Sequence, residues 1–505
     1  MLLFYPHPGH LPPLRLADIM RRVPALADDA ASASWRSAAA LDIAGITADS
    51  RRVTAGYLFA ALPGNRGDGR DFIAEAVSRG AAAVLAPEGT VWPAGVPARP
   101  LFEDREPRRR LAQLAAGLAG RQPDVVVAIT GTNGKTSTVE FLRQIWSTSR
   151  KPAASLGTLG LIAPGFDAGP GLTTPDPVDL ADRLAQLARV GIQHAAIEAS
   201  SHGLDQFRLD GVRLAAAAFT NLTRDHLDYH GSETAYRTAK LRLFAELLPE
   251  GAPAVASSDM DAASLAALTD IARRRRLALG TVGEAGTVIR LLAVQPRPDG
   301  QMLRIGGPGS PREIPLPLPG RFQADNALMA AALAMVLGER DALDCLTALR
   351  GVRGRLELAA RLPGGAAVYV DYAHTSDALE RLLTALRPHT GSRLHVVFGA
   401  GGDRDRGKRP LMGAAAARFA DVAIVTDDNP RSEDPAAIRA AVLAGCPGGR
   451  EIGDRAHAIA EALNGLRAGD VLVVAGKGHE QGQTIGDAVI PFDDVSVVRR
   501  LVGPS

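Results

Sequence analysis

A glycine-rich segment, Gly131-Thr132-Asn133-Gly134-Lys135-Thr136-Ser137, directly follows the β-branched run at residues 124–130. Glycines let a loop turn so that its backbone N–H groups point at phosphate oxygens, and a helix starting at the end of the loop adds positive potential. In such a loop Lys135 reaches the outer phosphates of a nucleotide, and the Thr136 hydroxyl serves as a ligand of Mg²⁺. A full phosphate-loop pattern would have glycine where this chain has Ile129. The strand on one side and the helix on the other nevertheless predict a nucleotide-binding loop.

Two further polar segments follow the next strand candidates. Glu198 ends the run His194–Glu198, and its carboxylate suits Mg²⁺, although a helix-capping carboxylate is the plainer interpretation. The connection Asn221–Gly231 carries two histidines and two aspartates. A polar capping loop explains this composition, and histidines four residues apart also resemble a zinc pair. Zinc is disfavoured because the neighbouring side chains offer oxygens and the two cysteines, Cys345 and Cys446, are remote in sequence.

Three polar clusters follow strand candidates in the last third of the chain, at residues 399–409, 427–431 and 475–480. The carboxyl ends of parallel strands meet at one edge of a sheet, so the three clusters are expected to line one crevice. Arginines there suit carboxylates, and Asp428 or Glu480 suits an ammonium group. Each cluster alone is explained by an ordinary loop with capping residues. Together they indicate a binding site for a zwitterionic amino acid.

Lysine is rare in this chain, with five lysines against 52 arginines. Lysine has a compact charge and a primary amine that can be neutralised and modified, whereas the guanidinium of arginine has neither property. Lys135, Lys240, Lys408 and Lys477 fall inside the segments that carry motifs, whereas Lys151 does not. Taken alone, Lys240 is best interpreted as a solvated lysine on a helix.

Length and composition limit the classes of protein that this chain can be. At about 100–200 residues per domain, 505 residues predict about three domains. The 22% charged and 46% hydrophobic residues exclude wholesale disorder, and the net charge of +2 gives no electrostatic reason to expect nucleic acid or an anionic membrane as partner. Two cysteines cannot form a disulfide framework, no apolar run is long enough to span a bilayer, and the first residues lack the features of a signal peptide. We therefore expect a cytoplasmic protein.

The alternation of strand and helix patterns predicts an α/β protein with three domains. We place their boundaries at residues 1–122, 123–352 and 353–505. The middle domain is expected to hold a mostly parallel sheet of the phosphate-loop type, flanked by an N-terminal α/β domain and a C-terminal Rossmann-like α/β domain. A helix is predicted over Glu103–Arg121, and another starts at Asp325.

The motifs resemble those of the Mur ligases, the ATP-dependent amide-forming enzymes of peptidoglycan precursor synthesis. The most specific matches are Asn221–Gly231, Val370–His374, Gly401–Pro410 and Asp428–Arg431, and the resemblance covers nearly the whole chain beyond the first residues. It is strongest to members that add meso-diaminopimelate to UDP-N-acetylmuramoyl-L-alanyl-D-glutamate. The alternatives are a ligase of this type that adds L-lysine, a ligase similar to folylpolyglutamate synthase, and a non-enzymatic nucleotide-binding regulator.

The resemblance implies a site for each substrate. The UDP-linked dipeptide is expected at Ala48, Ser50, Asn65, Arg66, Gly67, Leu172, Thr173, Thr174, Ser200, Gln206 and Arg208. ATP is expected at Gly131, Thr132, Asn133, Gly134, Lys135, Thr136, Ser137, Asn326, Arg355 and Asp371. Diaminopimelate is expected at Arg404, Asp428, Asn429, Pro430, Arg431, Gly476 and Glu480. Residues 48 and 65–67 lie in turns that vary within the family, so backbone N–H groups are expected to make those contacts.

The resemblance also implies the catalytic chemistry. Lys240 matches the lysine that the family carboxylates with CO₂, which gives N6-carboxylysine, an oxygen ligand shared with His226 for a second Mg²⁺. Two Mg²⁺ ions are therefore expected, with Thr136, Glu198, His226 and Lys240 as ligands and Lys135 on the phosphates. The implied reaction passes through an acyl phosphate, and we expect a monomer whose third domain closes over the other two before this intermediate forms.

Overall fold

The computed structural model describes residues 12–23, 33–64, 67–167, 169, 171–223, 225–306 and 311–503. The chain separates into two compact units, one made of residues 1–280 with 336–338 and the other of residues 281–335 with 339–505. None of the helices in the described ranges is long and apolar enough to cross a membrane.

The N-terminal part of the first unit is built on a small parallel sheet. Its elements are β1 (Leu14–Arg15), α1 (Leu16–Arg21), α2 (Ala33–Ser37), β2 (Asp42–Ile43), β3 (Gly45–Thr47), β4 (Tyr57–Ala60), α3 (Ile73–Ser78), β5 (Ala83–Pro87), β6 (Leu101–Asp104) and α4 (Pro107–Ala119). The strand order is β3-β4-β5-β6, with every pair parallel. Leu58 and Leu85 belong to one apolar cluster, and Phe59 and Val84 belong to another. Because successive side chains of a strand point to opposite faces, both faces of the sheet are covered.

The helix predicted over Glu103–Arg121 was wrong at its start. Glu103 belongs to strand β6, where it pairs with Ala86. Helix α4 begins at Pro107, whose fixed φ suits a first helical position and whose missing N–H costs nothing there. Gly117 lets α4 approach the backbone of Ile19, since an added Cβ would lie 2.5 Å from that carbonyl oxygen.

The larger part of the first unit contains a second, mostly parallel sheet. Its elements are β7 (Val125–Thr130), α5 (Lys135–Thr148), β8 (Ala153–Gly157), β9 (Gly160–Ala163), β10 (Phe166–Asp167), α6 (Pro177–Arg189), β11 (His194–Glu198), α7 (Ser201–Asp205), β12 (Ala216–Phe219), α8 (Leu227–His230), α9 (Glu233–Arg242), β13 (Pro253–Ser257) and α10 (Ala262–Arg274). Strands β8-β11-β7-β12-β13 are parallel, and β9 and β10 continue that edge in antiparallel pairs. The strand interiors are buried on both faces, which is why the β7 sequence reads as an unbroken apolar run.

Strand β14 (Ala278–Gly283) carries the chain from the first unit into the second. There, β15 (Ile289–Arg297), β16 (Gly300–Gly306) and β17 (Arg312–Leu316) form antiparallel pairs, followed by helix α11 (Arg321–Val336). Helix α11 therefore starts four residues before the predicted Asp325. The chain ahead of it is fixed by buried side chains, since Gln301 Nε2 donates to Gly320 O at 2.9 Å and the Gly320 N–H donates to His389 Nε2 at 2.9 Å.

The rest of the second unit surrounds a six-stranded sheet. Its elements are β18 (Glu357–Arg361), β19 (Ala367–Asp371), α12 (Ser376–Leu386), β20 (Leu394–Phe398), α13 (Lys408–Phe419), β21 (Val422–Val425), α14 (Pro435–Leu443), β22 (Arg450–Glu451), α15 (Arg455–Asn464), β23 (Val471–Ala475), β24 (Gly482–Ile485), β25 (Ala488–Pro491) and α16 (Asp494–Val502). The order is β18-β19-β23-β20-β21-β22, parallel except for β18. Since β23, β20 and β21 are neighbours, the three loops after them emerge side by side at one edge, as the sequence predicts.

A buried ion pair supports these loops from within the domain. Arg455 and Asp494 are both fully buried, and Arg455 Nε and Nη2 each lie 2.8 Å from an oxygen of that carboxylate. Arg455 Nη2 also donates to Ala475 O at 3.0 Å, at the end of β23. The pair thereby connects helix α16 to the start of the loop that holds Glu480.

Removing one member of this pair leaves an uncompensated buried charge. We expect Asp494→Ala to lower the free energy of unfolding by about 3–5 kcal/mol. Arg450→Ala breaks an exposed pair with Glu461 in the same unit and is expected to cost less than about 1 kcal/mol. Differential scanning calorimetry measures both; equal losses of stability in the two variants would contradict this account.

Candidate active site

The phosphate loop is held against the end of the neighbouring strand β12. The Thr132 N–H donates to Asn221 O at 2.8 Å, and the Asn133 N–H donates to Asn221 Oδ1 at 3.0 Å. Gly131 has φ 146° and an added Cβ there would lie 1.9 Å from Thr220 Oγ1, so only glycine fits. Gly134, with φ 85°, is the residue before helix α5, which begins at Lys135 as predicted. The loop is therefore followed directly by the N-terminus of a helix, as the sequence predicts, and the N–H groups of Thr132 and Asn133 are held by Asn221.

Two lysines share one carbonyl oxygen of this loop. Lys135 Nζ donates to Gly131 O at 2.8 Å and to Thr132 O at 2.9 Å, and Lys240 Nζ donates to Gly131 O at 2.9 Å. Lys240 is 1% exposed, so the interpretation of Lys240 as a solvated helix lysine was wrong. Burial, followed by the charge of Lys135, holds the pKa of Lys240 well below its ordinary value. The arrangement favours a neutral, nucleophilic amine at position 240.

An aromatic ring separates Lys240 from the histidine loop. Lys240 Nζ lies 4.5 Å from the centre of the Tyr236 ring, and the His226 ring lies 6.1 Å from that centre on an exposed loop. The Tyr236 hydroxyl lies 3.0 Å from Thr132 Oγ1, and burial raises the pKa of Tyr236 to about 12. His226 also faces His202 at 4.9 Å between ring centres. The described residues contain no group of three or more histidine, cysteine or acidic side chains that could hold a metal ion.

Glu198 lies at the carboxyl end of β11, buried at 2% exposure. The Thr158 N–H donates to Glu198 Oε1 at 2.8 Å, and the Thr158 hydroxyl lies 3.4 Å from Oε2. An added Cβ at Gly157 would lie 2.0 Å from Oε1, so glycine at that position leaves room for the carboxylate. The helix-capping interpretation of Glu198 does not fit, because Ser200 is the residue that caps helix α7.

The residues expected to hold the UDP-linked dipeptide beyond its nucleotide lie beside Glu198. Thr174 Oγ1 donates to Glu198 O at 2.8 Å and lies 2.9 Å from Ser200 Oγ. Arg208 Nη1 donates to Thr174 O at 2.6 Å, and Nη2 donates to Gln206 Oε1 at 2.7 Å. Thr173 Oγ1 lies 3.1 Å from Thr158 Oγ1, and the side chain of Leu172 is exposed.

The residues expected at the uridine diphosphate follow neighbouring strands of the small sheet. Ala48 and Ser50 follow β3, and Gly67 lies in the turn after β4. The Ser50 hydroxyl donates to Glu75 Oε2 at 2.8 Å, so its side chain already has a partner. Asn65 and Arg66 lie outside the described residues.

Three residues of the second unit expected at ATP form one connected group. Asn326 Nδ2 lies 3.5 Å from Gln323 Oε1, and Gln323 Nε2 donates to Arg355 O at 3.0 Å. Asp371 Oδ2 accepts from the Leu356 N–H at 2.7 Å, and burial raises the pKa of Asp371. The Arg355 guanidinium stacks on Tyr372 at 4.8 Å, and the buried ring of His479 lies on Tyr372 at 4.9 Å. Burial lowers the pKa of His479 to about 4, so His479 is neutral at neutral pH.

The predicted amino-acid site is assembled from the loops after β20, β21 and β23. Arg431 has φ 52°, and its Nη1 donates to Gly402 O at 2.8 Å. Glycines allow this contact between loops, since an added Cβ would lie 1.8 Å from Pro430 O at Gly402 and 2.8 Å from Asp428 Oδ2 at Gly476.

Acidic and amide groups complete this site. Asp428 and Asn429 are buried, and Asn429 Nδ2 donates to Glu480 Oε2 at 2.9 Å. Arg404 is exposed on the loop after β20, with its Cγ 3.8 Å from an added Cβ at Gly401. The Arg431 guanidinium lies 2.8 Å from the same Cβ position, so the two arginines flank Gly401. Cations and carboxylates thus line one edge of the sheet, which suits a zwitterionic ligand.

Sequence analysis missed Thr158, which contacts Glu198, and Tyr236, whose ring lies beside Lys240. It placed Lys477 and His479 in the cluster at residues 475–480 but gave neither of them a role. Spacing offered a weak signal for Tyr236, because it lies four residues before Lys240 on one helix.

Comparison with known proteins assigns the family. Three family models match the chain in sequence: the catalytic domain of the Mur ligase family over residues 42–117, the Mur ligase middle domain over residues 129–334, and the glutamate ligase domain of Mur ligases over residues 354–478.

Relatives of known name match nearly the full chain. A protein of Caulobacter vibrioides named UDP-N-acetylmuramoyl-L-alanyl-D-glutamate--2,6-diaminopimelate ligase is 55% identical over 90% of this chain and 94% of its own length. A protein of the same name from Rhizobium meliloti is 52% identical over 92% of this chain and 95% of its own. A solved structure of a ligase with that name shares 33% identity and a TM-score of 0.69, covering 91% of this chain and 95% of its own. The chain belongs to the Mur ligase family of ATP-dependent ligases.

Proposed function

We propose that this protein joins meso-diaminopimelate to UDP-N-acetylmuramoyl-L-alanyl-D-glutamate in cytoplasmic peptidoglycan precursor synthesis, with ATP converted to ADP and phosphate. The observation that carries the proposal is the cluster of Arg431, Asp428, Asn429 and Glu480 at one sheet edge. The cluster offers a guanidinium for a carboxylate and carboxylates for an ammonium group. The two relatives described above are named as ligases of UDP-N-acetylmuramoyl-L-alanyl-D-glutamate and 2,6-diaminopimelate.

The amino acid is selected by its distal end. Diaminopimelate differs from lysine by one distal carboxylate, which a guanidinium binds with two hydrogen bonds. Within the described residues, Arg431 is held through Nη1 by carbonyl oxygens, at 2.8 Å from Gly402 O and 3.5 Å from Asn429 O. Lysine would leave the guanidinium without its anion, and we therefore favour diaminopimelate over the L-lysine alternative.

The side chains near the phosphate loop fit Mg²⁺ and a carboxylated lysine. Glu198 supplies carboxylate oxygens and Thr136 a hydroxyl in the first turn of α5, which are the hard ligands that Mg²⁺ prefers. Lys240 is buried with a lowered pKa, which favours the neutral amine that reacts with CO₂, and the carbamate would add an oxygen ligand beside the Tyr236 ring, which His226 also approaches. Bound Mg²⁺ ions would neutralise charge on the transferring phosphoryl group.

The protein's own residues position the reactants. Backbone N–H groups of the phosphate loop and Lys135 hold the triphosphate, so that the D-glutamyl carboxylate attacks the γ-phosphorus and ADP leaves. The amine of the amino acid then attacks the resulting acyl phosphate, phosphate leaves, and the amide forms. Asp428 and Glu480 orient the ammonium end of the amino acid before it loses its proton. We also propose that the third domain closes over the other two, because water hydrolyses an acyl phosphate. The proposed enzyme is a monomer.

Arg431→Ala tests the assignment of the amino acid. Wild-type protein is expected to release phosphate with the UDP-linked dipeptide and diaminopimelate, and far less with L-lysine. Arg431→Ala is expected to lose a factor on the order of 10²–10⁴ in discrimination between the two amino acids, because an unpaired, partly buried guanidinium no longer penalises lysine. A colorimetric phosphate assay measures both variants, with Arg418→Ala, an exposed arginine of the same domain, as control.

Two results would contradict the proposal. The proposed diaminopimelate-adding activity would be excluded if the wild type released phosphate with L-lysine or a folate polyglutamate substrate but not with diaminopimelate. Wild-type discrimination in Arg431→Ala would exclude the assigned role of Arg431.

Removal of CO₂ tests the role of Lys240. We expect thoroughly degassed protein to lose most of its ligase activity and to regain it with bicarbonate, because the carbamate is reversible. Lys240→Arg is expected to be at least 100-fold less active with or without bicarbonate, since a guanidinium forms no carbamate. Lys151→Arg, a matched lysine outside the site, should behave as the wild type does. Full activity of Lys240→Arg would exclude the carbamate.

A further inference from the structure

Lys477 is a fully buried lysine in the loop after β23, and the proposed mechanism gives it no task. Its Nζ donates to Asn429 Oδ1 at 3.0 Å and to Glu480 Oε2 at 3.2 Å, and lies 3.8 Å from Asp428 Oδ1. These three partners belong to the proposed amino-acid site, in which Asp428 and Glu480 orient the ammonium group. Lys477 thus contacts the acidic and amide side chains of that site while being shielded from solvent itself.

Lys477 fixes which way the Asn429 amide points. Asn429 Oδ1 accepts from Lys477 Nζ and from the Thr484 N–H at 2.9 Å, and both of these groups are donors only. Asn429 Nδ2 donates to Glu480 Oε2 at 2.9 Å. A rotated amide would place its NH₂ group against an ammonium and a backbone N–H, so a single orientation is compatible with these partners.

Lys477 also fixes the carboxylate of Glu480. Glu480 Oε2 accepts from both Lys477 Nζ and Asn429 Nδ2, whereas the side chain as a whole is 33% exposed. A carboxylate held by one oxygen presents the other in a defined direction. In the described part of the chain no hydrogen bond engages Glu480 Oε1, which leaves that oxygen for a ligand.

We propose that Lys477 is a positioning residue for the amino-acid substrate, holding the Asn429 amide and the Glu480 carboxylate in the orientation that receives an ammonium group. The inference rests on the proposed function, since it requires that these side chains contact the amino acid. A lysine that only filled the core would stabilise the domain without affecting one substrate more than the others.

A double-mutant cycle separates these two roles. Steady-state kinetics of Lys477→Met, Glu480→Gln and the double variant are measured with each substrate varied in turn. Lys477→Met is expected to raise KM for diaminopimelate by about 10–100-fold, because Glu480 and Asn429 lose a shared donor, and to change KM for ATP and for the UDP-linked dipeptide less than about twofold. In the Glu480→Gln background the same substitution should add less than about threefold, because the carboxylate it acts through is gone.

Asp470→Asn is the matched control. Asp470 is 1% exposed and precedes β23, whereas Lys477 follows it, so this variant removes a buried charge from the opposite end of the same strand. We expect Asp470→Asn to lower the melting temperature and to leave KM for diaminopimelate unchanged. In the double variant with Glu480→Gln, the effects of the two substitutions on KM should multiply. If Lys477→Met does not fold, Lys477→Gln is measured in the same cycle.

The outcomes are distinguishable from failure of the proposed function. A wild-type enzyme that does not use diaminopimelate would overturn the proposed function itself. If the wild type is active, three results would overturn the positioning role alone. Lys477→Met could leave KM for diaminopimelate unchanged, raise all three KM values equally, or combine multiplicatively with Glu480→Gln.

Discussion

One carbonyl oxygen, that of Gly131, accepts hydrogen bonds from two lysine side chains, and the chemistry of the first unit depends on this contact. Two ammonium groups within hydrogen-bonding distance of one oxygen repel each other, and Lys240 has almost no exposure to water. Loss of its proton would relieve both costs, and the proposed carbamate requires this neutral amine. Position 131 requires glycine because an added Cβ would meet Thr220, the residue after strand β12. Lys240 reaches the Gly131 carbonyl oxygen from helix α9.

The second unit brings charges of both signs to one edge of its sheet, and there the Arg431 guanidinium binds carbonyl oxygens while Lys477 pairs with Glu480. The Pro430 backbone approaches Gly402 closely and the Asp428 side chain approaches Gly476, and Arg431 adopts a left-handed conformation. Carbonyl oxygens hold its guanidinium, while Lys477 and Asn429 engage Glu480 from behind. The site is therefore built before a ligand arrives, which reduces the ordering that binding must impose.

Much of the fold is readable from the sequence because the signals are local. The β-branched run before Gly131 and the strands before the three polar loops all appear where the pattern predicts them. Helix α4 was misplaced because charged residues dominate the segment, whereas strand pairing of Glu103 and the start at Pro107 decide the structure. The placement of cations and carboxylates at one edge was predicted because each cluster follows the carboxyl end of a strand candidate.

What the sequence could not show is burial produced by distant segments. Lys240 resembles a surface lysine in its own helix, and its pKa is lowered by packing against a loop 109 residues away. Thr158 contacts Glu198 across 40 residues of sequence, and Lys477 contacts Asn429 across 48 residues, so no local motif encodes these contacts. The family resemblance implies the role proposed for Lys240, and a carbamate at this buried amine would require lysine, because a guanidinium does not form one.

The most direct test of the central claim is ¹³C NMR of the protein equilibrated with ¹³C-bicarbonate. The account predicts one slowly exchanging carbamate resonance in the wild type that is retained in Lys151→Arg and absent from Lys240→Arg. The account would be contradicted if the wild type showed no carbamate resonance, or if the resonance persisted in Lys240→Arg.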